Sequence, residues 1–375
     1  MNLKMNMIYI DLFSQANSNF MWLDAFKKTG YFNQVIRLDL SKAAKVIKDE
    51  NSLRTFLKDN GTSIADLELI HMGGSTKTDS MVPLKSLKMI KEKFPHVKMT
   101  AFYGDVYYNP YNQERSHIVD TTHVTNGSNL LSIKGREILP AKSMFHYPCP
   151  APIDSIFSNQ DAKSFKVKTR GKNISIYTKG SGVFIGNSYH DPRIKYLKEV
   201  ALMLRKHEMK LCIFGDNWPN ADKLGDNVEV YYPSNPRDNI LIYKKHTIAF
   251  DDPTAKVCSH VSILKQCGLK HKQYKHPLCT NYKCQDFTPT QGWFSNRSVF
   301  PMIAKIPYIA ARRQGQEEFI PTPFYFENTS EIENHINFIL NPNNKESVQS
   351  SLEKCYSFAS KYSFKYVIDQ LLGKI

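Results

Sequence analysis

Two loops in the second half of the chain contain residues that could bind a nucleotide. The first loop, Gly186-Asn187-Ser188, follows an apolar run and precedes a helical pattern that starts near Asp191. Free backbone amides and a helix dipole attract phosphate oxygens at such a position, and the guanidinium of Arg193 could bind them bidentately. The second loop closes the next apolar run and could hold a nucleobase against an aromatic face; its residues are Phe214, Gly215, Asp216 and Trp218. Ordinary turns, with Trp218 packed into a core, are the alternative interpretation.

One aspartate in the first half is placed to act as a general base. Asp105 follows the apolar run 97–103 and a glycine, Gly104, which allows a ligand to approach closely. A carboxylate there could accept the proton of an attacking hydroxyl group in an inverting displacement. A capping aspartate is the alternative interpretation, and the other candidates for the base are Asp11, His71 and His123.

Polar and aromatic residues close to these carboxylates in sequence could contact an acceptor. Tyr107 follows Asp105 and could stack on an extruded base, as enzymes that modify nucleobases require. A polar loop follows the first apolar run of the chain, and its candidate acceptor contacts are Ser14, Gln15 and Asn17.

A segment rich in cysteine, histidine and lysine could hold a structural metal ion. Four cysteines and three histidines lie within 27 residues. The cysteine spacing differs from the C-x2-C pairs of most zinc sites, so a structural zinc ion and simple loop cysteines both stay open. The candidate ligands are Cys258, Cys267, Cys279 and Cys284, and the nearby lysines Lys270 and Lys272 could contact a phosphate backbone.

The excess of positive charge is concentrated in two short segments. The 375 residues carry 50 basic and 35 acidic side chains, which gives a formal net charge of +15. Residues 255–300 contain seven basic side chains and one acidic side chain, and residues 151–175 contain five and two. A local cluster of this kind predicts a polyanionic partner such as nucleic acid, anionic lipid or a phosphorylated ligand.

The elements that must position these residues are alternating strands and helices. Short apolar runs in the first half are separated by helical patterns over 41–59 and 82–93, and the alternation restarts at Gly182. This repetition predicts parallel sheets covered by helices, and the length predicts two domains. A hydrophobic content of 41% excludes a disordered chain, and no apolar run is long enough to span a bilayer. The seven cysteines, an odd number without a secretion signal, predict reduced thiols in the cytoplasm.

Proline residues mark the boundary between the two domains. Pro148, Pro150 and Pro152 fall within five residues and favour a stiff connector. The predicted organisation is a Rossmann-like domain over 1–150, a hinge over 151–175, a second Rossmann-like domain over 176–345 with a basic insertion at 255–290, and a C-terminal helix over 346–375.

The α/β halves, the hinge and the C-terminal helix together resemble the GT-B glycosyltransferases, in particular the group 1 and spore-coat-type branch. Cys149–Asp154 with Phe157 is similar to the hinge of group 1 enzymes, and Phe184–Ser188 is similar to the first strand and loop of their donor domain. Phe294–Arg297 before an apolar helix, followed by Glu317–Phe319, is similar to spore-coat-type sequences.

The resemblance implies a glycosyltransferase with two Rossmann-like domains facing each other across a cleft. The first domain would bind the acceptor, and the second would bind a nucleoside-diphosphate sugar, with a UDP-sugar as the expected co-substrate and no catalytic metal. Asp251-Asp252 would then be a loop rather than a metal site. The chain departs from the family because Val299 and Phe300 occupy a helix that usually carries a ribose-binding glutamate. The further donor contacts that the family pattern implies are Ser295, Asn296 and Arg297.

With its strong positive charge, the chain is also similar to phage enzymes of this fold that glycosylate hydroxylated DNA bases. Those enzymes use an aspartate of the first domain as base, a role that Asp105 would fill here. This resemblance implies a monomeric, inverting hexosyl- or pentosyltransferase that acts in the host cytoplasm on hydroxylated or hydroxymethylated pyrimidines in double-stranded DNA.

Two other functions stay open at this point. The first is a transferase that acts on surface polysaccharide, lipid or protein and whose basic surface binds anionic membrane. The second is a non-enzymatic protein that binds nucleic acid through the cysteine- and histidine-rich segment.

Overall fold

The structure, a computed structural model, describes residues 5–11, 19–73, 82–103, 110–124, 132–133, 136–137, 143–145, 165–169, 172–176, 180–186, 191–216, 218–219, 221–231, 239–251, 296–312 and 320–373. These residues form two units. One contains the described residues up to 145 together with those from 364 onward, and the other contains those from 165 to 363. Each unit is built on its own parallel sheet, so the α/β alternation predicted from the sequence is confirmed.

The first unit contains a sheet of six parallel strands. The strands described in this unit are β1 (Met5–Asp11), β2 (Phe32–Asp39), β3 (Leu67–Met72), β4 (Lys98–Tyr103), β5 (Thr121–Val124), β6 (Ser132–Ile133), β7 (Arg136–Glu137) and β8 (Ser143–Phe145). The sheet order is β2-β1-β3-β4-β5-β8, and β6 and β7 pair with each other in antiparallel fashion. Residues 6–11 of β1 are all buried, as expected for a strand covered on both faces.

Helices connect these strands. They are α1 (Asn19–Lys28), α2 (Leu40–Val46), α3 (Glu50–Asp59), α4 (Leu84–Lys93) and α5 (Pro110–Ile118). The sequence predicted one helix over 41–59, and the structure has two. Asp39 caps α2 by accepting a hydrogen bond from the Ser41 amide (3.0 Å), and Asp49 caps α3 by accepting one from the Ser52 amide (2.9 Å). A second capping aspartate starts a new helix at this point, because it supplies the acceptor that the first amides of α3 need.

The second unit contains another six-stranded parallel sheet and an antiparallel hairpin. Its strands are β9 (Phe165–Thr169), β10 (Lys172–Ile176), β11 (Ser181–Ile185), β12 (Lys210–Phe214), β13 (Val228–Tyr231), β14 (Ile248–Phe250), β15 (Tyr308–Ala311) and β16 (Tyr325–Phe326). The sheet order is β13-β12-β11-β14-β15-β16. The β9–β10 hairpin covers residues 165–176, of which all but the last lie in the stretch predicted as the hinge, and it belongs to the second unit.

The helices of the C-terminal half cover this sheet, except for the final one. They are α6 (Asp191–Arg205), α7 (Asn239–Lys244), α8 (Asn296–Ala304), α9 (Thr329–Leu340), α10 (Lys345–Ser360) and α11 (Phe364–Leu371). Where the sequence predicted one C-terminal helix, a turn at 361–363 separates α10 from α11. Within the ranges given above, no helix combines the length and the apolar character needed to cross a lipid bilayer.

The final helix, α11, belongs to the first unit. The Phe364 ring packs edge-on against Trp22 of α1, with 5.0 Å between ring centroids. Lys365 Nζ donates to the Tyr31 hydroxyl (2.9 Å) and pairs with Asp369 Oδ2 (2.6 Å). The first unit is therefore completed by residues from the other end of the chain.

We expect Phe364→Ala to destabilise the first unit by about 3 to 5 kcal/mol, because it leaves a cavity against Trp22. Tryptophan fluorescence during urea unfolding would measure this loss. Phe338→Ala, which removes a ring that is 40% exposed, is the matched control and should cost only about 1 kcal/mol. Equal losses in the two variants would contradict the docking role of Phe364.

Candidate functional site

The strand order of the second sheet reverses between β11 and β14. From β11 the chain adds β12 and β13 on one side, and then returns to place β14, β15 and β16 on the other. In open α/β sheets, ligands bind in the crevice at the carboxyl ends of the strands where the order reverses. Gly186 follows β11 at this edge, and Asp251 follows β14.

Three residues of the predicted nucleotide site are connected by hydrogen bonds at this edge. The Trp218 indole N–H donates to the Gly186 carbonyl (2.7 Å), and the Gly186 amide donates to the Phe214 carbonyl (2.8 Å). A Cβ atom on Gly215 would overlap the Gly186 carbonyl and would lie 2.8 Å from the indole nitrogen of Trp218. The ends of β11 and β12 approach this closely only because residue 215 is glycine.

Two helix N-termini open on the same edge. Helix α6 ends at Arg205 and β12 begins at Lys210, so the start of α6 lies at the opposite, carboxyl end of the sheet. The same reasoning applies to α8, which ends at Ala304 shortly before β15. The first amides of a helix and its dipole form a site for anions. Asn296 and Arg297 are the first two residues of α8, and only their backbone is described.

Arg193 and Asp251 are buried charged residues of this region. Arg193 is 1% exposed in the first turn of α6. Its contact with a diphosphate stays a prediction. Asp251 is 2% exposed, and its amide donates to the Ile309 carbonyl (2.9 Å). Asp251 follows the last residue of β14, Phe250, and is itself outside the strand.

Phe214, which was predicted to contact the nucleobase, packs inside the unit. Its ring is fully buried and stacks on Tyr231 with 4.8 Å between centroids. Trp218 is half-buried and meets Phe184 edge-on, with 5.9 Å between centroids. Asp216 is also half-buried at the edge. Phe214 therefore supports the loop from below, whereas Gly186, Gly215, Asp216 and Trp218 form the edge itself.

His246 lies against the other side of Phe214, with 6.0 Å between ring centroids. Its Nδ1 donates to the Ile242 carbonyl (2.7 Å), which leaves Nε2 as the unprotonated nitrogen. Burial lowers the pKa of His246 to about 4. The thiol of Cys212 on the same strand as Phe214 has its pKa raised to about 12 by burial, so it is not a nucleophile at neutral pH.

The sheet of the first unit also reverses its strand order, between β1 and β3. Asp11 follows the apolar part of β1, and Gly73 follows β3 beside it. A Cβ atom on Gly73 would overlap the Asp11 carboxylate, so that carboxylate lies directly on the backbone of residue 73. The Tyr9 hydroxyl donates to Asp11 Oδ2 (2.7 Å), and burial raises the pKa of Tyr9 well above its usual value. Tyr9 is therefore a permanent donor that orients this carboxylate.

The other two candidates for the base lie farther from this point of reversal. His71 is buried in β3, stacks on Tyr9 and is hydrogen-bonded through Nδ1 to Thr100 Oγ1 (2.8 Å). His123 is fully buried in β5. Asp11 is as deeply buried as the two histidines, at 3% exposed, but it is the last residue of its strand.

Several predicted site residues lie outside the described residues. They are Ser14, Gln15, Asn17, Asp105, Tyr107, Asn187, Ser188, Cys258, Cys267, Lys270, Lys272, Cys279, Cys284 and Ser295. In the part of the chain that the structure does describe, no three histidine, cysteine, aspartate or glutamate side chains come together as a metal site requires.

A separate cavity of about 360 Å³ lies beyond the end of β15 and is lined by Arg312, Thr322, Tyr325 and Lys354, among others. Arg312 pairs with Glu327 (3.2 Å) and covers the Tyr325 ring. The cavity lies on the far side of β15 from the reversal of strand order, so we do not assign it to the nucleotide.

Solved structures with the same fold extend over nearly the whole chain, although their sequences differ widely. A glycosyltransferase from Rickettsia africae matches with a TM-score of 0.61 and 10% identity, over 99% of this chain and 97% of that chain. An α-glucosyltransferase in complex with UDP-glucose and DNA containing an abasic site matches with a TM-score of 0.54 and 10% identity, over 98% and 99%. HepE from Anabaena in complex with UDP-glucose matches with a TM-score of 0.50 and 9% identity, over 99% of both chains.

No model of a protein family matches the sequence, and no curated protein is significantly similar to it. The structural matches show that the chain has the GT-B fold, which confirms the predicted fold class.

We expect acid to destabilise the second unit through His246. The pKa of a histidine is near 6.5 in an unfolded chain and about 4 here, so the proton binds preferentially to the unfolded chain between these values. The stability that neutral His246 contributes to the second unit is fully present above pH 6.5. It is lost as pH falls towards 4, by about 3 kcal/mol in total. Urea unfolding measures the free energy of unfolding at pH 8 and at pH 4.5. The difference between these two free energies should be smaller in His246→Leu than in the parent. An unchanged difference would rule out His246 as its source.

Proposed function

We propose that the protein is a glycosyltransferase that moves a sugar from a nucleoside-diphosphate sugar, with a UDP-sugar as the expected donor. The observation that carries the proposal is the carboxyl edge of the second sheet. There the strand order reverses, the N-termini of α6 and α8 are located, and Gly215 lets the ends of β11 and β12 approach each other closely. This edge offers amides and helix dipoles to a diphosphate, which must be neutralised as it leaves.

For the acceptor we propose a hydroxyl group on a hydroxylated or hydroxymethylated pyrimidine in double-stranded DNA. The net charge of +15 supports a polyanionic acceptor. An α-glucosyltransferase of the same fold was solved with UDP-glucose and DNA, which supports the same combination of ligands here. Surface polysaccharide, lipid or protein is the alternative class of acceptor.

The experiment is a panel of nucleotide sugars incubated with the protein and with DNA that contains hydroxymethylated or hydroxylated pyrimidines. Mass spectrometry of the released nucleosides should detect a hexose or pentose adduct with at least one donor. A complete absence of adducts, together with transfer to a glycan, lipid or protein acceptor, would replace DNA by the alternative class.

We expect Gly215→Ala to weaken the affinity for UDP at least tenfold, which corresponds to about 1.4 kcal/mol. The added methyl group must displace the Gly186 carbonyl and with it the loop before α6. Isothermal titration with UDP measures the change. Gly182→Ala is the matched control, because its Cβ would lie 2.6 Å from Phe250 Cε2 in the core and away from the edge. If both variants bind UDP equally well, the nucleotide does not bind at this edge.

The proposed reaction is an inverting displacement. The acceptor oxygen forms a bond to the anomeric carbon while the bond from that carbon to the diphosphate breaks, and the electron pair leaves with the nucleoside diphosphate. The proton of the acceptor hydroxyl group passes to a carboxylate of the first unit. Asp105 is the carboxylate proposed from the sequence. Asp11 is the candidate that the described geometry supports, because Tyr9 orients it at the point where strand order reverses.

We expect the base to be revealed by testing Asp11→Asn and Asp105→Asn in parallel. Loss of the base should lower kcat at least about a hundredfold while the affinity for UDP stays unchanged, because the donor binds to the other unit. A small carboxylate such as formate should partly restore the turnover of the alanine variant at the same position. If neither asparagine variant loses turnover, no carboxylate of this pair acts as the base.

A further inference from the structure

Five exposed lysines of the first unit, which we call the lysine surface, lie on α2 and α4 and on the turn that follows α2. Their spacing of three residues along each segment places neighbouring ammonium groups on one side of the chain. The apolar residues between them, such as Ala43, Ile47 and Leu87, point into the core of the first unit. The five lysines are Lys42, Lys45, Lys48, Lys85 and Lys88.

The two parts of the lysine surface are joined. The Ser86 hydroxyl in the first turn of α4 donates to the Lys48 carbonyl (3.0 Å), so the end of the α2 segment lies against the start of α4. The two parts of the lysine surface therefore adjoin, although all of α3 and all of β3 lie between them in the sequence.

The lysine surface adjoins the carboxyl edge of the first sheet. Helix α2 begins directly after β2, and α4 ends at Lys93, shortly before β4 begins at Lys98. The start of α2 and the start of α4 thus lie on the side of the sheet where the strands end. Asp11 and Gly73 lie at the same edge.

The lysine surface differs electrostatically from the C-terminal end of α4. Lys91 and Lys93, farther along α4, pair with Asp120 and Glu50. No ion pair is formed between the lysine surface and any described residue. Asp39 and Asp49 accept hydrogen bonds as caps, from Ser41 and Ser52, and also interact electrostatically with Lys42 and Lys48 without forming ion pairs. Most of the positive charge therefore remains available to a partner.

We infer that the lysine surface binds the phosphate backbone of double-stranded DNA and so holds the acceptor at the edge of the first unit. This inference rests on the proposed function for its acceptor, and it assigns the contact to residues outside the two segments where the sequence concentrates its charge. Lysine binds phosphate as a point charge without reading the base sequence, so the contact positions the duplex and does not select a site.

The apolar side chains near the lysine surface are packed inward, which favours nucleic acid over a membrane as the partner. A protein that lies on a bilayer inserts apolar side chains beside its basic residues. Val46, Leu84 and Met89, the larger apolar residues between the lysines, are packed against the core. Among the described residues, the large apolar side chains that are exposed are Leu202 and Phe338, and both belong to the second unit.

The test compares two variants of the full chain that each lose four positive charges. In the first, Lys42, Lys45, Lys85 and Lys88 are replaced by glutamine. In the control, four exposed lysines of the second unit are replaced by glutamine; they are Lys195, Lys198, Lys345 and Lys361. Fluorescence anisotropy with a labelled 25-base-pair duplex is measured between 50 and 200 mM salt, and UDP affinity is measured in parallel.

We expect the slope of log K against log salt to become shallower by about 3 to 4 in the first variant, at roughly 0.9 for each lost phosphate contact. The control variant should keep the slope of the parent. Equal slopes in all three proteins, or an equal loss in the control, would overturn the inference. So would an absence of duplex binding in the parent together with binding to vesicles of phosphatidylserine that the first variant loses.

Failure of the proposed function gives a different result. If the parent does not bind UDP but binds the duplex through the lysine surface, the proposed use of a nucleotide sugar is refuted and the proposed DNA contact is supported. If UDP binds and the lysine variant keeps the parent's DNA affinity and slope, the lysine surface is wrong and the transferase proposal stands.

Discussion

The geometry of both sheet edges depends on a glycine whose missing side chain is replaced by a polar group of a neighbouring strand. In the second unit the Gly186 carbonyl occupies the place where a Cβ of Gly215 would lie, and the indole of Trp218 fixes that carbonyl by a hydrogen bond. In the first unit the Asp11 carboxylate occupies the place of a Cβ on Gly73. Each glycine lies at the carboxyl edge, on or next to the strands between which the order reverses. Close packing of backbone and polar groups therefore occurs where this fold class binds its ligands.

The sequence was sufficient to predict the two parallel sheets, because central parallel strands are continuous apolar runs. It did not predict β5, whose residues Thr122 and His123 are polar and yet buried. It also could not show how Asp11 meets Gly73, or whether Trp218 stacks on a ligand or packs on the fold, because both depend on contacts between distant residues. The sequence predicted that Phe214 would contact a nucleobase, whereas its side chain is buried. The last residue of an apolar run can lie at the sheet edge or in the core, and the sequence pattern is the same in both cases.

Counting charges by segment hides arrangements that form only in three dimensions. The first 150 residues contain many acidic side chains, and this lowers their net charge. Several of those carboxylates cap helices or pair with particular cations, as Asp49 and Asp120 do. Five lysines that form no ion pair with described residues come together from α2 and α4, on opposite sides of β3 in the sequence. The position of unpaired positive charge on the surface therefore depends on how the helices pack, and it cannot be read from the net charge of each sequence segment.

The return of α11 to the first unit affects how the protein can be made. Tyr31 and its partner Lys365 are 334 residues apart, so the ribosome must synthesise the whole second unit before the first acquires its final helix. Until then, the surface of α1 that receives Phe364, Trp22 included, is exposed to solvent. While translation continues, exposed apolar surface of this kind can bind chaperones or lead to aggregation. An N-terminal fragment that ends at the predicted domain boundary would retain this exposed surface permanently, and would need α11 as a separate peptide or a fused segment to cover it.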